Sequence, residues 1–186
     1  MTEREVTRKI AFVGTMSIGK TTIFDHYRRK FSGDPTVAFV EEAARRYFRD
    51  HPEIVDRFAK DPQGEIQQLA LSDEQKAHAS GARIITCDRA VIDAVVYVRA
   101  NGDRQGSEDL LKRVEFWLPT YHKFLLLDPV GVPFVADEVR EEDEEKKRQH
   151  FHNVFIELFG EKKIPYELVS GTLEERIARI DEILAD

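Results

Sequence analysis

The sequence predicts an α/β fold in three layers, a five-stranded parallel sheet with helices on both faces. Five short apolar runs alternate with longer amphipathic ones. The first run leads directly into a glycine-rich loop followed by a helical pattern. With 41% apolar residues among 186, the chain can bury a substantial core, and one unit spanning residues 1–186 is expected.

The elements follow in order. "KIAFVG", Lys9 to Gly14, is an unbroken apolar strand, the pattern of a strand covered on both faces. A helix from Lys20 to Arg29 follows its loop. "VAFV", Val37 to Val40, is the second strand, with a helix from Glu42 to Arg49 and a longer one from Gly64 to Ala79. Arg83 to Cys87 forms the third strand, followed by helices over Ala90 to Ala100 and Ser107 to Phe116. Lys123 to Leu127 is the fourth strand; the helix after it runs from about Glu142 to Phe159. Tyr166 to Ser170 closes the sheet, and Leu173, Ile177, Ile180 and Leu184 recur as a stripe that should lie against it. Strands separated by helices pair in parallel, and a parallel sheet collects its ligands outside the carboxyl ends of its strands.

Charge narrows the partners. Thirty-five acidic residues against 28 basic ones give a net charge of -7, which disfavours nucleic-acid polymers and anionic membranes and leaves a small-molecule acceptor. One cysteine, Cys87, allows no internal disulfide, and no apolar run reaches membrane-spanning length, so a cytoplasmic setting is expected. The histidines are scattered; the closest pair, His150 and His152, points to different sides of a helix, and no zinc site is expected. A homo-oligomer is left open.

"GTMSIGKT", Gly14 to Thr21, fits G-x-x-x-x-G-K-[ST] in the expected strand–loop–helix setting. Gly14 and Gly19 let the backbone curve without a Cβ in the way, so that Thr15, Ser17 and Ile18 turn their N–H groups inward on phosphates. Lys20 brings positive charge to the β and γ phosphates, and the Thr21 hydroxyl can join a Mg²⁺ shell. Thr22 is either a further hydroxyl contact or an ordinary first-turn residue. The expected fold is therefore that of a P-loop NTPase, with ATP and Mg²⁺ as its cofactors.

A P-loop does not name a reaction. "DPVG", Asp128 to Gly131, imitates a D-x-x-G switch but follows the fourth strand, and N-K-x-D is absent; it reads as a turn. An AAA-type motor needs a helical lid domain, for which the chain is short. A small-molecule kinase remains, with a nucleotide-dependent regulatory ATPase or switch as the alternative.

The other rim residues suit a kinase. "VAFVEEAARR" ends the second strand with Glu42, able to orient or deprotonate a substrate hydroxyl, and places Arg45 on the same helical face. The competing reading is an acidic first turn favoured by the helix dipole. "RIITCDRAVIDAVVY" ends the third strand with Asp88, a candidate Mg²⁺ carboxylate, and Arg89, a candidate phosphate contact; a helix cap is the alternative. Asp93, one turn on, is equally readable as helix surface. "DPVGVPFVADEVR" is long for a connector and leads into a charged helix, so Arg140, with Lys146, Lys147 or Arg148 as further candidates, can close over the transferring phosphoryl group. In "VSGT", Ser170 to Thr172, backbone groups can meet an adenine edge, or Thr172 and Glu175 can form a capping box.

Taken together, "GTMSIGKT", "VEEAARRYF", "TCDRAVIDAVVY" and "VPFVADEVR" resemble, in that order, the motifs of the nicotinamide riboside kinase-like group of P-loop proteins, broadly AAA-type ATPases or kinases of NAD metabolism. The resemblance runs from about Lys9 to Leu184. It implies ATP and Mg²⁺ at Gly14, Gly19, Lys20 and Thr21, acceptor or metal chemistry at Glu42 and Asp88, and a lid arginine at Arg140. The implied reaction is transfer of a γ-phosphoryl to a hydroxyl of a nucleoside-like acceptor, nicotinamide riboside among them. Phe134, Ala136 and Glu138 depart from the group's lid pattern, so a deoxynucleoside or nucleoside monophosphate stays open as acceptor. Tyr47, Phe48, Tyr97 and Phe134 are the aromatics available for stacking on its ring.

Overall fold

A computed structural model describes residues 7–132 and 143–185. Its elements run β1 (Arg8–Val13), α1 (Lys20–Lys30), β2 (Val37–Val40), α2 (Ala43–Asp50), α3 (Lys60–Ala79), β3 (Ile84–Asp88), α4 (Val91–Ala100) and α5 (Arg104–Val114). After a 3-10 turn over Glu115–Thr120 come β4 (Lys123–Leu127), α6 (Asp143–Glu161), β5 (Glu167–Val169) and α7 (Leu173–Ala185). The sheet is wholly parallel in the order β2-β3-β1-β4-β5. Every expected strand is present. Helix ends shift by a few residues; α3 starts at Lys60, four residues ahead of Gly64, because Pro62 is tolerated in a first turn that lacks intrahelical N–H partners.

The unbroken apolar strands have a simple geometric cause. Successive side chains of a strand point to opposite faces, and both faces are covered here. Ala11 and Val13 therefore enter one core, with α3 to α6, while Ile10 and Phe12 enter the other, with α1 and α7. Phe124 and Leu126 divide from Leu125 and Leu127 in the same way. Helix α4 is buried from Val91 through Val98, all round, between α3, α5, α6 and the sheet.

A buried ion pair ties the first strand to the third helix. Lys9 donates to Glu74 at 2.8 Å, and both side chains are fully enclosed. Glu74 also accepts from Trp117 Nε1 at 2.8 Å and from the Tyr121 hydroxyl at 2.5 Å, while the Lys9 ammonium lies 3.6 Å from the Tyr121 ring centroid. Burial lowers the Lys9 pKa, opposed by the Glu74 charge.

Helix α7 corrects one expectation. Its buried residues are Arg176, Ile180 and Ile183, while Leu173 is 40% exposed and Ile177 and Leu184 are half-buried. The helix is rotated so that Arg176 faces inward. Its guanidinium and Nε donate to the carbonyls of Ile18 (3.0 Å), Asp128 (2.6 Å) and Gly171 (2.8 Å), three loop segments at one rim. Satisfying those buried carbonyls outweighs burying Leu173. No helix among the described residues is long and apolar enough to cross a membrane.

Candidate active site

The loop after β1 is shaped by its glycines. Gly14 has φ 136°, and a Cβ there would meet Ile18 Cδ1 at 2.8 Å and the Leu127 carbonyl at 3.2 Å, so no other residue fits. Gly19, with φ 85°, is the left-handed residue that starts α1. Lys20 is buried and donates to the carbonyl of Gly14 at 2.9 Å and to that of Thr15. Burial drives its pKa down to about 7, with the Arg89 charge acting in the same direction and three carboxylates, Asp93, Asp88 and Glu42, against it. An ammonium in such a place gains from an incoming polyanion.

Beside the loop, the Thr21 hydroxyl donates to Asp88 Oδ2 at 3.0 Å. Asp88 ends β3, and register pairs it with Phe12 at the same rim. Its other oxygen, Oδ1, is buried with no hydrogen-bond partner. Burial raises the Asp88 pKa, as does the nearby Glu42 charge. A buried carboxylate oxygen without a donor, next to a hydroxyl oxygen, is a donor set for a hard divalent cation. Among the described residues no group of three or more His, Cys, Asp or Glu converges.

Asp88 does not cap α4. That role falls to Asp93, whose Oδ2 accepts from the Ala90 N–H at 2.9 Å. Asp93 is buried rather than on the helix surface, and burial raises its pKa to about 6. Arg89 has a left-handed backbone, at φ 78°. It donates to Glu42 Oε1 at 2.5 Å, to Asp93 Oδ1 at 3.3 Å and to the Tyr97 hydroxyl, which in turn donates to the Gly14 carbonyl at 3.2 Å. The chain Glu42–Arg89–Tyr97–Gly14 thus links the end of β2 to the phosphate-type loop. Burial alone would raise the Glu42 pKa, but the Arg89 charge and hydrogen bond outweigh it and hold it low. Arg45, on the same face of α2, donates to Thr21 Oγ1 at 3.2 Å and to Glu42 at 3.5 Å.

Several hollows open at this rim among the described residues. One of about 390 Å³ lies between the α1 start and the Gly131 and Gly171 turns, with Thr22 and Arg176 in its wall. Another, about 210 Å³, holds Thr21, Asp88 and the outer face of α2. A third, about 620 Å³, lies beyond Glu42 and Arg89, among Phe48, Phe58 and Tyr97. The loop therefore stands between a cavity on the α7 side and a larger one on the α2 side.

A family model described as an AAA domain matches residues 9–176. The chain belongs to this AAA-domain family. No curated protein matches the sequence. Among solved structures, a NadR protein in complex with NR is similar at 20% identity and a TM-score of 0.74, over 98% of this chain and 52% of that one. NadR in complex with NAD and AMP-PNP gives 19%, 0.72, 98% and 50%. A thymidylate kinase from Ehrlichia chaffeensis gives 12% and 0.65, over 96% of this chain and 98% of that one. This AAA-domain chain thus has the fold of P-loop nucleoside and nucleotide kinases, and it spans about half the length of the NadR chains.

In the AAA-domain chain, the sequence-selected residues divide clearly. Lys20, Thr21, Glu42, Arg45, Asp88 and Arg89 converge at one rim. Thr15 is buried; Ile18 is buried, its carbonyl held by Arg176; and Ser17 is exposed, its carbonyl accepting from Arg148 at 3.4 Å. Arg140 and Phe134 lie outside the described residues. Lys147 lines the large cavity, whereas Arg148 is buried against the carbonyls of Pro129 and Val132. "DPVG" is a turn, with the Val130 N–H donating to Asp128 Oδ1 at 2.9 Å. Thr172 and Glu175 form the reciprocal capping box, at 2.8 and 3.3 Å, even as Gly171 and Thr172 line the 390 Å³ cavity.

Sequence reasoning missed Phe58 and Arg176. Phe58 belongs to an aperiodic stretch between α2 and α3 and carries no local signal. Arg176 had one: an arginine four residues before Ile180 interrupts the apolar face of an amphipathic helix.

Proposed function

We propose that this protein is an ATP- and Mg²⁺-dependent small-molecule kinase. It transfers the γ-phosphoryl of ATP to a small nucleoside-like acceptor, a hydroxyl being the simplest accepting group and nicotinamide riboside a member of the class. The observation that carries the reading is the buried, unpartnered Asp88 Oδ1 beside the Thr21–Asp88 hydrogen bond at 3.0 Å, between two cavities.

The α7-side cavity takes the nucleoside end of ATP, between the Gly131 and Gly171 turns. The loop N–H groups and the α1 N-terminus hold its phosphates. Lys20 releases the Gly14 and Thr15 carbonyls to meet the β and γ phosphates, regaining full charge as it does so. Thr21 and Asp88 would hold Mg²⁺, which supplies charge neutralisation on the transferring group.

On the opposite side, Glu42 orients the acceptor. Its low pKa, set by Arg89, favours hydrogen-bonding and alignment and accepts a proton only late in the transfer. Arg45 stands between the two substrates through its contacts with Thr21 and Glu42. The Arg89–Tyr97–Gly14 chain fixes the acceptor side relative to the loop. Arg140 is proposed as the lid residue on the resemblance alone.

The test is a panel of nucleosides and nucleoside monophosphates incubated with ATP-Mg²⁺, with ADP and phosphorylated product both measured. Acceptor-dependent ADP release, lost in Asp88→Asn by about a hundredfold or more, is the expected result. Slow ADP formation indifferent to every acceptor would reject the kinase in favour of a regulatory ATPase.

A further inference from the structure

Among the described residues, the wall of the 620 Å³ cavity carries Arg45, Arg49, Arg57, Arg89 and Lys147 against one carboxylate, Glu42. This concentration of cations occurs in a chain whose net charge is -7. Glu42 is already engaged, by Arg89 at 2.5 Å and Arg45 at 3.5 Å, and Arg49 meets Asp50 at 3.2 Å on the exposed surface. Arg57 and Lys147 have no carboxylate partner among the described residues. Each instead covers an aromatic ring, Arg57 at 5.0 Å from the Phe48 centroid and Lys147 at 4.8 Å from that of Phe58.

Those rings supply the second half of the argument. Phe58 lies 5.5 Å from Tyr97, and both contact Phe151, so the floor is a fixed aromatic cluster. A planar heterocycle gains from such a floor by offset or edge stacking. Guanidinium groups and an ammonium facing the same hollow present forked and point donors suited to a phosphate. A concave site with excess positive charge also concentrates anions and repels cations.

We infer that the acceptor arrives already phosphorylated, as a mononucleotide with a planar base, rather than as a free nucleoside. The base lies on Phe48, Phe58 and Tyr97, and its phosphate monoester is held by Arg57 and Lys147 with Arg49. An oxygen of that monoester attacks the γ-phosphorus of ATP while the bond from that phosphorus to the β–γ bridging oxygen breaks, so ADP leaves with the bridging oxygen and the product is a nucleoside diphosphate. The inference rests on the kinase reading above and specifies the substrate class of the same site.

The experiment compares each nucleoside with its own 5′-monophosphate as acceptor, using the full chain with ATP-Mg²⁺, then repeats the comparison in Arg57→Ala and Lys147→Ala. For the best base, the monophosphate is expected to exceed its nucleoside in kcat/KM by about tenfold or more, the scale of one charge-assisted hydrogen bond. Each variant is expected to raise the KM for that monophosphate by a similar factor while the KM for ATP stays put and the melting temperature holds. Preference for an unphosphorylated nucleoside, or variants indifferent to the monophosphate, overturns the acceptor class and leaves the kinase standing. Transfer to neither acceptor removes both.

Discussion

Lys20 is placed where its charge opposes the fold, and in the proposed kinase that charge serves the phosphates. Its ammonium is buried and its pKa falls to about 7, chiefly through that burial. Between about pH 7 and its ordinary value of 10.5 the native state holds fewer protons at this site than the unfolded chain, so its contribution to stability improves as pH rises through that window and is most unfavourable below it. Two results are expected. Lys20→Met raises the melting temperature of the ligand-free protein near pH 6, where the buried charge is fully present, while weakening ATP binding at least about tenfold. Calorimetry of ATP binding at pH 8 in buffers of different ionisation enthalpy detects proton uptake, which vanishes in the variant. A Lys20→Met protein with unchanged ATP affinity would contradict the role assigned to this residue. At this scale the sequence was readable wherever spacing is local: Lys20 and Thr21 through the P-loop pattern, Asp88 and Glu42 through strand ends. Arg89 was readable as a rim residue, but its target was not. Its guanidinium meets Glu42 and Tyr97, partners 47 and 8 residues away that no local pattern names.

Among the elements, α3 and β1 are joined by charge as well as by apolar packing. Lys9 and Glu74 are both fully buried, and Glu74 also satisfies Trp117 and Tyr121. Removing one partner strands the other in a low-dielectric interior, which costs about 3–5 kcal/mol. Lys9→Met is therefore expected to lower the urea midpoint strongly, and a Lys9→Met, Glu74→Gln double variant, which removes the stranded charge but keeps an acceptor for Trp117 and Tyr121, is expected to recover much of the loss. If the double variant is no more stable than the single, the pair is not the source of the effect. Strand periodicity had marked Lys9 only as the start of β1, because nothing near it in sequence indicates its partner on α3. The same limit applied to α7, where counting apolar positions pointed to Leu173 while tertiary hydrogen bonds turned Arg176 inward.

For the whole molecule, the parallel sheet brings the ends of β1, β2, β3 and β4 to one rim, so ligand binding and folding are coupled through that rim. If the proposed kinase reading holds, ATP-Mg²⁺ at about 100 times its Kd is expected to stabilise the folded chain by about 2.7 kcal/mol. For a chain of this length that corresponds to a rise in melting temperature on the order of 5–10 °C. Scanning calorimetry with ATP and either Mg²⁺ or EDTA checks it; a shift insensitive to metal would remove Thr21 and Asp88 from the metal site.

The sequence by itself determined the alternating elements, the phosphate-type loop and the polar residues at each strand end, because these depend on backbone geometry within a few residues of one another. Only the tertiary structure decided the strand order β2-β3-β1-β4-β5, the chain from Glu42 through Arg89 and Tyr97 to Gly14, and the meeting of Arg57 with Lys147 around one hollow. Those contacts join segments distant in the chain, and their geometry is set by how helices pack on both faces of the sheet, which no local pattern records.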